Sequence, residues 1–267
     1  MSNQPLNMSM GIKSQAKWFL DIFFRPKRAF QQISEKKNGV WLLPLLIMSV
    51  LAIGYASASA RANVSFAFDG MQGIDIENSE IIVSQDGEDL QYDLSEAEKI
   101  SSMPESSVFL DSIGSIFRIW LSWGVLAIVL YLSITLFGGR TENIHLLNMV
   151  AWSGMPLALR DFIRIVTVNF MHKPIINPGL SGFVLSQNGY SSLFWNSFLG
   201  IVDIYLIWSL VLLVFGGKEI SQLNFWKSIK SVLIPAFLLL IIYSLTSAEL
   251  ISLSLQIKEG VDFAEGF

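Results

Sequence analysis

Apolar positions run along this chain in long uncharged blocks, not in the alternating or every-third-residue pattern of half-buried elements in water. Trp41 to Ala60, Ile119 to Phe137 and Ser231 to Ala248 are each free of charge from end to end. A stretch of about 18 such residues is long enough to cross a hydrocarbon core ~30 Å thick as a helix. Asn143 to Leu159 is also clean, and the chain stays apolar through Arg160, Asp161 and Arg164 to Phe170, while Leu193 to Phe215 carries a single charge, Asp203. Both also read as spans, because a charge near an end or facing other helices is tolerated. The expected fold is all-α and integral to the membrane. It has five transmembrane helices, over residues 41–60, 116–137, 146–170, 194–215 and 231–250. Residues 1–40 form an arm, 61–115 an acidic outer loop and 251–267 an acidic outer tail.

Composition agrees with a lipid solvent. Of 267 residues, 52% are hydrophobic and 15% charged, where a soluble domain carries about 25% charged. With no cysteine and two histidines, His145 and His172, the sequence excludes a disulfide scaffold, a Cys-ligated metal and a cysteine nucleophile. No cofactor is expected. Lys and Arg set the orientation. The arm holds Lys13, Lys17, Arg25, Lys27, Arg28, Lys36 and Lys37, and the connections on its side add Arg140, Lys218, Lys227 and Lys230. The other side holds Arg61, Lys99, Lys173 and Lys258, so eleven face four, which places the N-terminus in the cytoplasm and the C-terminus outside. Tryptophans prefer the interface, and Trp18, Trp41 and Trp226 fall at the inner boundary while Trp120, Trp123 and Trp195 fall at the outer one. Trp152 and Trp208 lie mid-span as bundle packing.

Over residues 12 to 24 of the arm, Ile12, Ala16, Trp18, Phe19, Ile22 and Phe23 recur near helical spacing against Lys13, Gln15 and Lys17, which suits a helix lying in the interface against anionic headgroups, the alternative being an amphipathic hairpin packed on the bundle. Pro26 interrupts, and Lys27 to Lys37 restarts a short helix with Phe30 and Ile33 on one face. The arm before the first span exceeds the charged region of a cleavable signal, so that span is expected to stay. Its Ala52, Ala56 and Ala60, at spacing four, offer a close-packing stripe to another helix. From Asp69 to Asp111 there are twelve carboxylates and one lysine, which reads as a solvated loop, with Ile74, Ile76, Ile81, Ile82 and Val83 forming a short hairpin around Glu77-Asn78-Ser79 and Leu94 to Ile100 a helical turn or two. Asp86-Gly87-Glu88-Asp89 lacks the ligand spacing of a calcium loop.

The chain repeats itself. Phe137-Gly138-Gly139-Arg140 returns as Phe215-Gly216-Gly217-Lys218, each followed by a polar stretch and a helix carrying a proline, Pro156 or Pro235. The glycines are expected to end spans two and four, with Arg140 and Lys218 suited to the helix C-terminus and the anionic leaflet. Together with Phe24-Arg25-Pro26-Lys27-Arg28-Ala29-Phe30, Trp41-Leu42-Leu43-Pro44 and Trp208-Ser209-Leu210, these motifs resemble the prokaryotic branch of the Yip1 domain family over roughly residues 15 to 245. The resemblance implies a multi-pass protein without known catalytic activity. Eukaryotic relatives act in vesicle trafficking with prenylated GTPases and with each other. Their Asp-Leu-Tyr-Gly-Pro motif is absent here, so a GTPase partner is not carried over.

Arg160, Asp161 and Arg164 lie at the depth of Asp203 when each span is measured at about 1.5 Å per residue, which predicts that Asp203 pairs with Arg160 or Arg164. No phosphate loop, His-Glu-x-x-His or Gly-x-Ser-x-Gly is present. The expected function is a non-enzymatic scaffold or adaptor of a bacterial inner membrane, binding lipids, other membrane proteins or itself, and no nucleic acid. The alternative is a small-solute or ion transporter built on the Arg/Asp cluster.

Overall fold

The computed structural model describes residues 18–35, 39–71, 81–85, 88–92, 105–173, 175, 177–184 and 189–265. In hydrocarbon every backbone N–H and C=O must find a partner within its own segment, and the apolar blocks accordingly fold as helices. A helical stretch over 18–24 (α1) leads through Arg25 into α2 (Pro26–Ser34), followed by α3 (Leu42–Met71) and α4 (Glu105–Leu136). Then come α5 (Asn143–Ser153), α6 (Met155–Met171), α7 (Tyr190–Ile201), α8 (Ile204–Ser221) and α9 (Phe225–Glu265). Between α3 and α4, β1 (Ile81–Gln85) pairs antiparallel with β2 (Glu88–Tyr92), Gln85 opposite Glu88. β1 is thus paired with a strand that follows it in the chain, and residues 77–79, around which the hairpin is expected, lie outside the described residues. Ile74, Ile76 and Leu94 to Ile100 lie outside the described residues.

Among the described residues, four helical segments are long and apolar enough to cross a membrane: Leu42–Ala62, Ser112–Leu136, Ile204–Ser221 and Phe225–Ser254. The third and fourth expected spans are each interrupted. Gly154 caps α5, and Pro156 falls in the first turn of α6, where its missing N–H leaves no bond unmade. Pro235, the counterpart of Pro156 in the repeat, lies inside a continuous α9. The fourth span breaks between Ile201 and Ile204. Asp203 is the N-cap of α8, its carboxylate accepting from the Leu206 N–H at 2.7 Å. The loop Asn177-Pro178-Gly179-Leu180 seals the end of α7, with the Leu180 N–H donating to the carbonyls of Leu199 at 2.8 Å and Val202 at 3.2 Å. α9 continues as helix through Glu265, well into the segment expected as a tail.

The helices form two units. The first comprises residues 1–46, 121–159 and 177–267. In it α2 packs on α5 and α8, α8 on α5 and α9, and α9 on α7, around buried Phe30, Leu130, Ile134, Met149, Trp152, Leu212 and Val232. Buried serines stitch these helices together: Ser209 Oγ donates to the Ser153 carbonyl at 2.7 Å, and Ser228 Oγ to that of Val214 at 2.8 Å. Small hydroxyl residues at helix crossings suit a bundle whose surroundings are as apolar as its core. Leu136, at 86% exposed, and Ile128, at 63%, point outward from α4, as lipid-facing residues do.

The second unit comprises residues 47–120 and 160–176. Ala58, Ala62 and Val168 are its core, with Tyr55 and Ile175 against them. A Cβ on Gly54 would stand 3.1 Å from Ile165 Cδ1. Gly54, Ala58 and Ala62 thus face α6, while Ala52, Ala56 and Ala60 are, like Gly54, half-buried. Both stripes have spacing four, and the neighbouring helix decides between them.

Candidate functional site

The arm is docked protein. Trp18, Ile22, Ala29, Phe30 and Ile33 are all buried, so the apolar stripe of α1 and α2 is taken up by the bundle. The Trp18 ring meets Trp152 edge-on, centroids 5.9 Å apart, and its Nε1 donates to Gln32 Oε1 at 2.9 Å. Phe30 fits over Gly216, where an added Cβ would lie 3.1 Å from Phe30 Cε1 and 2.5 Å from Met149 Cγ. Gln31 Nε2 donates to Glu219 Oε2 at 3.1 Å. Phe23 is half-buried, and Phe19, Leu20 and Phe24 remain outside. Lys13 and Lys17 lie outside the described residues. On the polar side, exposed Arg25, Lys27 and Arg28 line an open cleft of about 560 Å³ with Pro26, Gln31 and Phe215.

The elbow joining the arm to α3 sits well inside the bundle. Trp41 stacks on Trp123, centroids 5.0 Å apart, and Trp152 Nε1 donates to the Val40 carbonyl at 3.1 Å. Trp123 lies well before the end of α4 and Trp152 well after the start of α5, which puts the elbow roughly 14–20 Å along those helices at about 1.5 Å per residue. Trp41 and Trp123 share one level and cannot mark opposite boundaries. Trp152 is fully buried as expected, but Trp208, read as packing, is 38% exposed.

The duplicated glycines are used in two ways. Gly138 (φ +83) ends α4 in a Schellman motif: Gly139 N–H donates to the Ile134 carbonyl at 2.9 Å and Gly138 N–H to that of Thr135 at 3.0 Å. Gly216 and Gly217 end nothing. α8 runs through them to Gln222, a left-handed cap at φ +56. Their missing Cβ atoms make room instead for Phe30 and Met149, and for Ser228 Oγ, which a Cβ on Gly217 would meet at 3.1 Å. The two motifs meet in space, the Arg140 N–H donating to the Ser221 carbonyl at 3.4 Å. Lys218 Nζ stands 6.0 Å from the centre of the Phe225 ring.

On α6, Arg160 Nε lies 3.1 Å from Asp161 Oδ1, and Arg164 approaches the same oxygen to 3.9 Å, all three side chains 19% exposed. One carboxylate oxygen is thus shared by two guanidinium groups. Asp203 belongs to the other unit and holds the start of α8. Sequence reasoning read it as a charge, whereas Asp203-Ile204-Tyr205-Leu206 also carries an N-cap signal. It gives Phe215 and Ser209 only as letters of motifs and assigns no role to Gln31 or the other buried serines, because those roles depend on which helices meet. Among the described residues no group of three or more metal-ligating side chains forms.

The family model for the Yip1 domain matches residues 20–247. The chain belongs to the Yip1 domain family. No curated protein and no solved structure matches it. The Yip1 match starts within α1 and ends within α9, so it takes in the docked arm, both glycine motifs and the α6 charges.

Proposed function

We propose that this Yip1-domain protein is a non-enzymatic scaffold or adaptor of a bacterial cytoplasmic membrane, engaging lipids or partner proteins through its arm and outward helix faces. The observation that carries this reading is the docking of α1 and α2 on the bundle. Docking fixes Arg25, Lys27 and Arg28 outward beside the exposed Phe24. Five crossings, the third through α5–α6 and the fourth through α7–α8, agree with the eleven-to-four distribution of Lys and Arg that puts the arm in the cytoplasm. The test is removal of residues 12–37 from the chain in its own membrane. Proteins co-isolated with the intact chain are expected to be lost, and their retention would refute the adaptor role.

A second reading, transport of a small solute or ion, draws support from the Arg160-Asp161-Arg164 turn and from the break at Asp203, since interrupted helices line many transport sites. Replacing Arg160 and Arg164 with Gln and Asp161 and Asp203 with Asn would then abolish flux into liposomes. Function surviving that replacement excludes transport.

A further inference from the structure

We propose that the cleft beside α2 binds the headgroup phosphate of an anionic phospholipid. This deepens the membrane reading above and rests on it. Arg25, Lys27 and Arg28 are exposed and form no ion pair among the described residues, although three cations within four positions repel one another unless an anion sits among them. The carboxylate that α8 brings to this face, Glu219, is engaged by Gln31. At about 560 Å³ the cleft falls within the range of small-molecule sites, ~300–1,000 Å³. Guanidinium groups grip phosphate oxygens in pairs, and a lysine adds a compact charge.

Two features select a lipid over free phosphate. The cleft has an apolar wall, Phe215, and its neighbour Phe24 is 81% exposed, surfaces that a free anion does not need and an acyl chain does. Depth agrees: Phe215 precedes the end of α8 by six residues, about 9 Å along the helix, so the cleft lies beside the bundle and not beyond its end. Phosphate would sit among the cations while the chains run past Phe24 and Phe215. Cationic side chains on flexible stems at this level reach the headgroups readily.

The test uses the full chain in mild detergent, with native mass spectrometry in equimolar phosphatidylglycerol and phosphatidylcholine. The wild type is expected to retain phosphatidylglycerol at least tenfold over phosphatidylcholine. The triple variant Arg25→Gln, Lys27→Gln, Arg28→Gln is expected to lose that preference, and a Lys227→Gln, Lys230→Gln control to keep it. Equal loss in both variants would mean diffuse charge and overturn the site, as would a wild type without preference. Displacement of the lipid by millimolar inorganic phosphate or glycerol 3-phosphate would reassign the cleft to a soluble phosphate. Carbonate extraction of native membranes separates the two levels: release of the wild type would sink the membrane placement, whereas retention without lipid preference would sink only the cleft.

Discussion

Glycine acts at three positions for three physical reasons, and substitution separates them. Gly138 stands in open space at φ +83, so Gly138→Ala is expected to cost only the left-handed backbone, ~1–2 kcal/mol. Gly179, at φ +61, would in addition push a Cβ to 2.7 Å from two carbonyl oxygens of α7. Gly179→Ala is therefore expected to lower the melting temperature in detergent further than Gly138→Ala, and equal losses would show that the loop seal contributes nothing. At Gly216 the constraint is neither φ nor a carbonyl but the side chains of Phe30 and Met149. Asp203 permits a similar separation. Asparagine can still cap and alanine cannot, so Asp203→Ala should fall ~1 kcal/mol below Asp203→Asn in thermal stability.

At the scale of elements, the arm is held by a large side chain set against a missing one. Phe30→Ala empties a fully buried position at a cost on the order of 3 kcal/mol, and Gly216→Leu fills the space that Phe30 and Met149 occupy. Both changes are expected to release the arm, so that trypsin cuts at Lys27 or Arg28 faster than in the wild type. Phe24→Ala, at an exposed position, should leave the cutting rate unchanged, and similar rates in all three variants would dissociate docking from Phe30. The paired prolines diverge for a local reason. Gly154 precedes Pro156 and favours a break, whereas Leu233-Ile234 precede Pro235 and keep α9 continuous.

At the scale of the whole molecule, the distribution of Lys and Arg and the odd number of proposed crossings predict that reporters fused at residues 1 and 267 fall on opposite faces of the membrane. Both reporters in one compartment would remove the five-span topology.

Much was legible from the chain itself. Lipid as solvent, helices as the only segments able to satisfy their own backbone there, the charged turn on α6 and the family motifs all follow from residue type and spacing, which are local properties. The Schellman end at Gly138 belongs with them, because its bonds close within a few neighbouring residues. What the tertiary structure decided is which face meets which neighbour. The Gly216 motif has the same letters as the Gly138 motif but a different use, since Phe30 arrives from the opposite end of the chain. Likewise it is α6 that meets α3 at Gly54, Ala58 and Ala62, and the break at Asp203 is sealed by a loop from before α7. Periodicity gives each helix a set of candidate faces, and only packing against a partner distant in sequence selects among them.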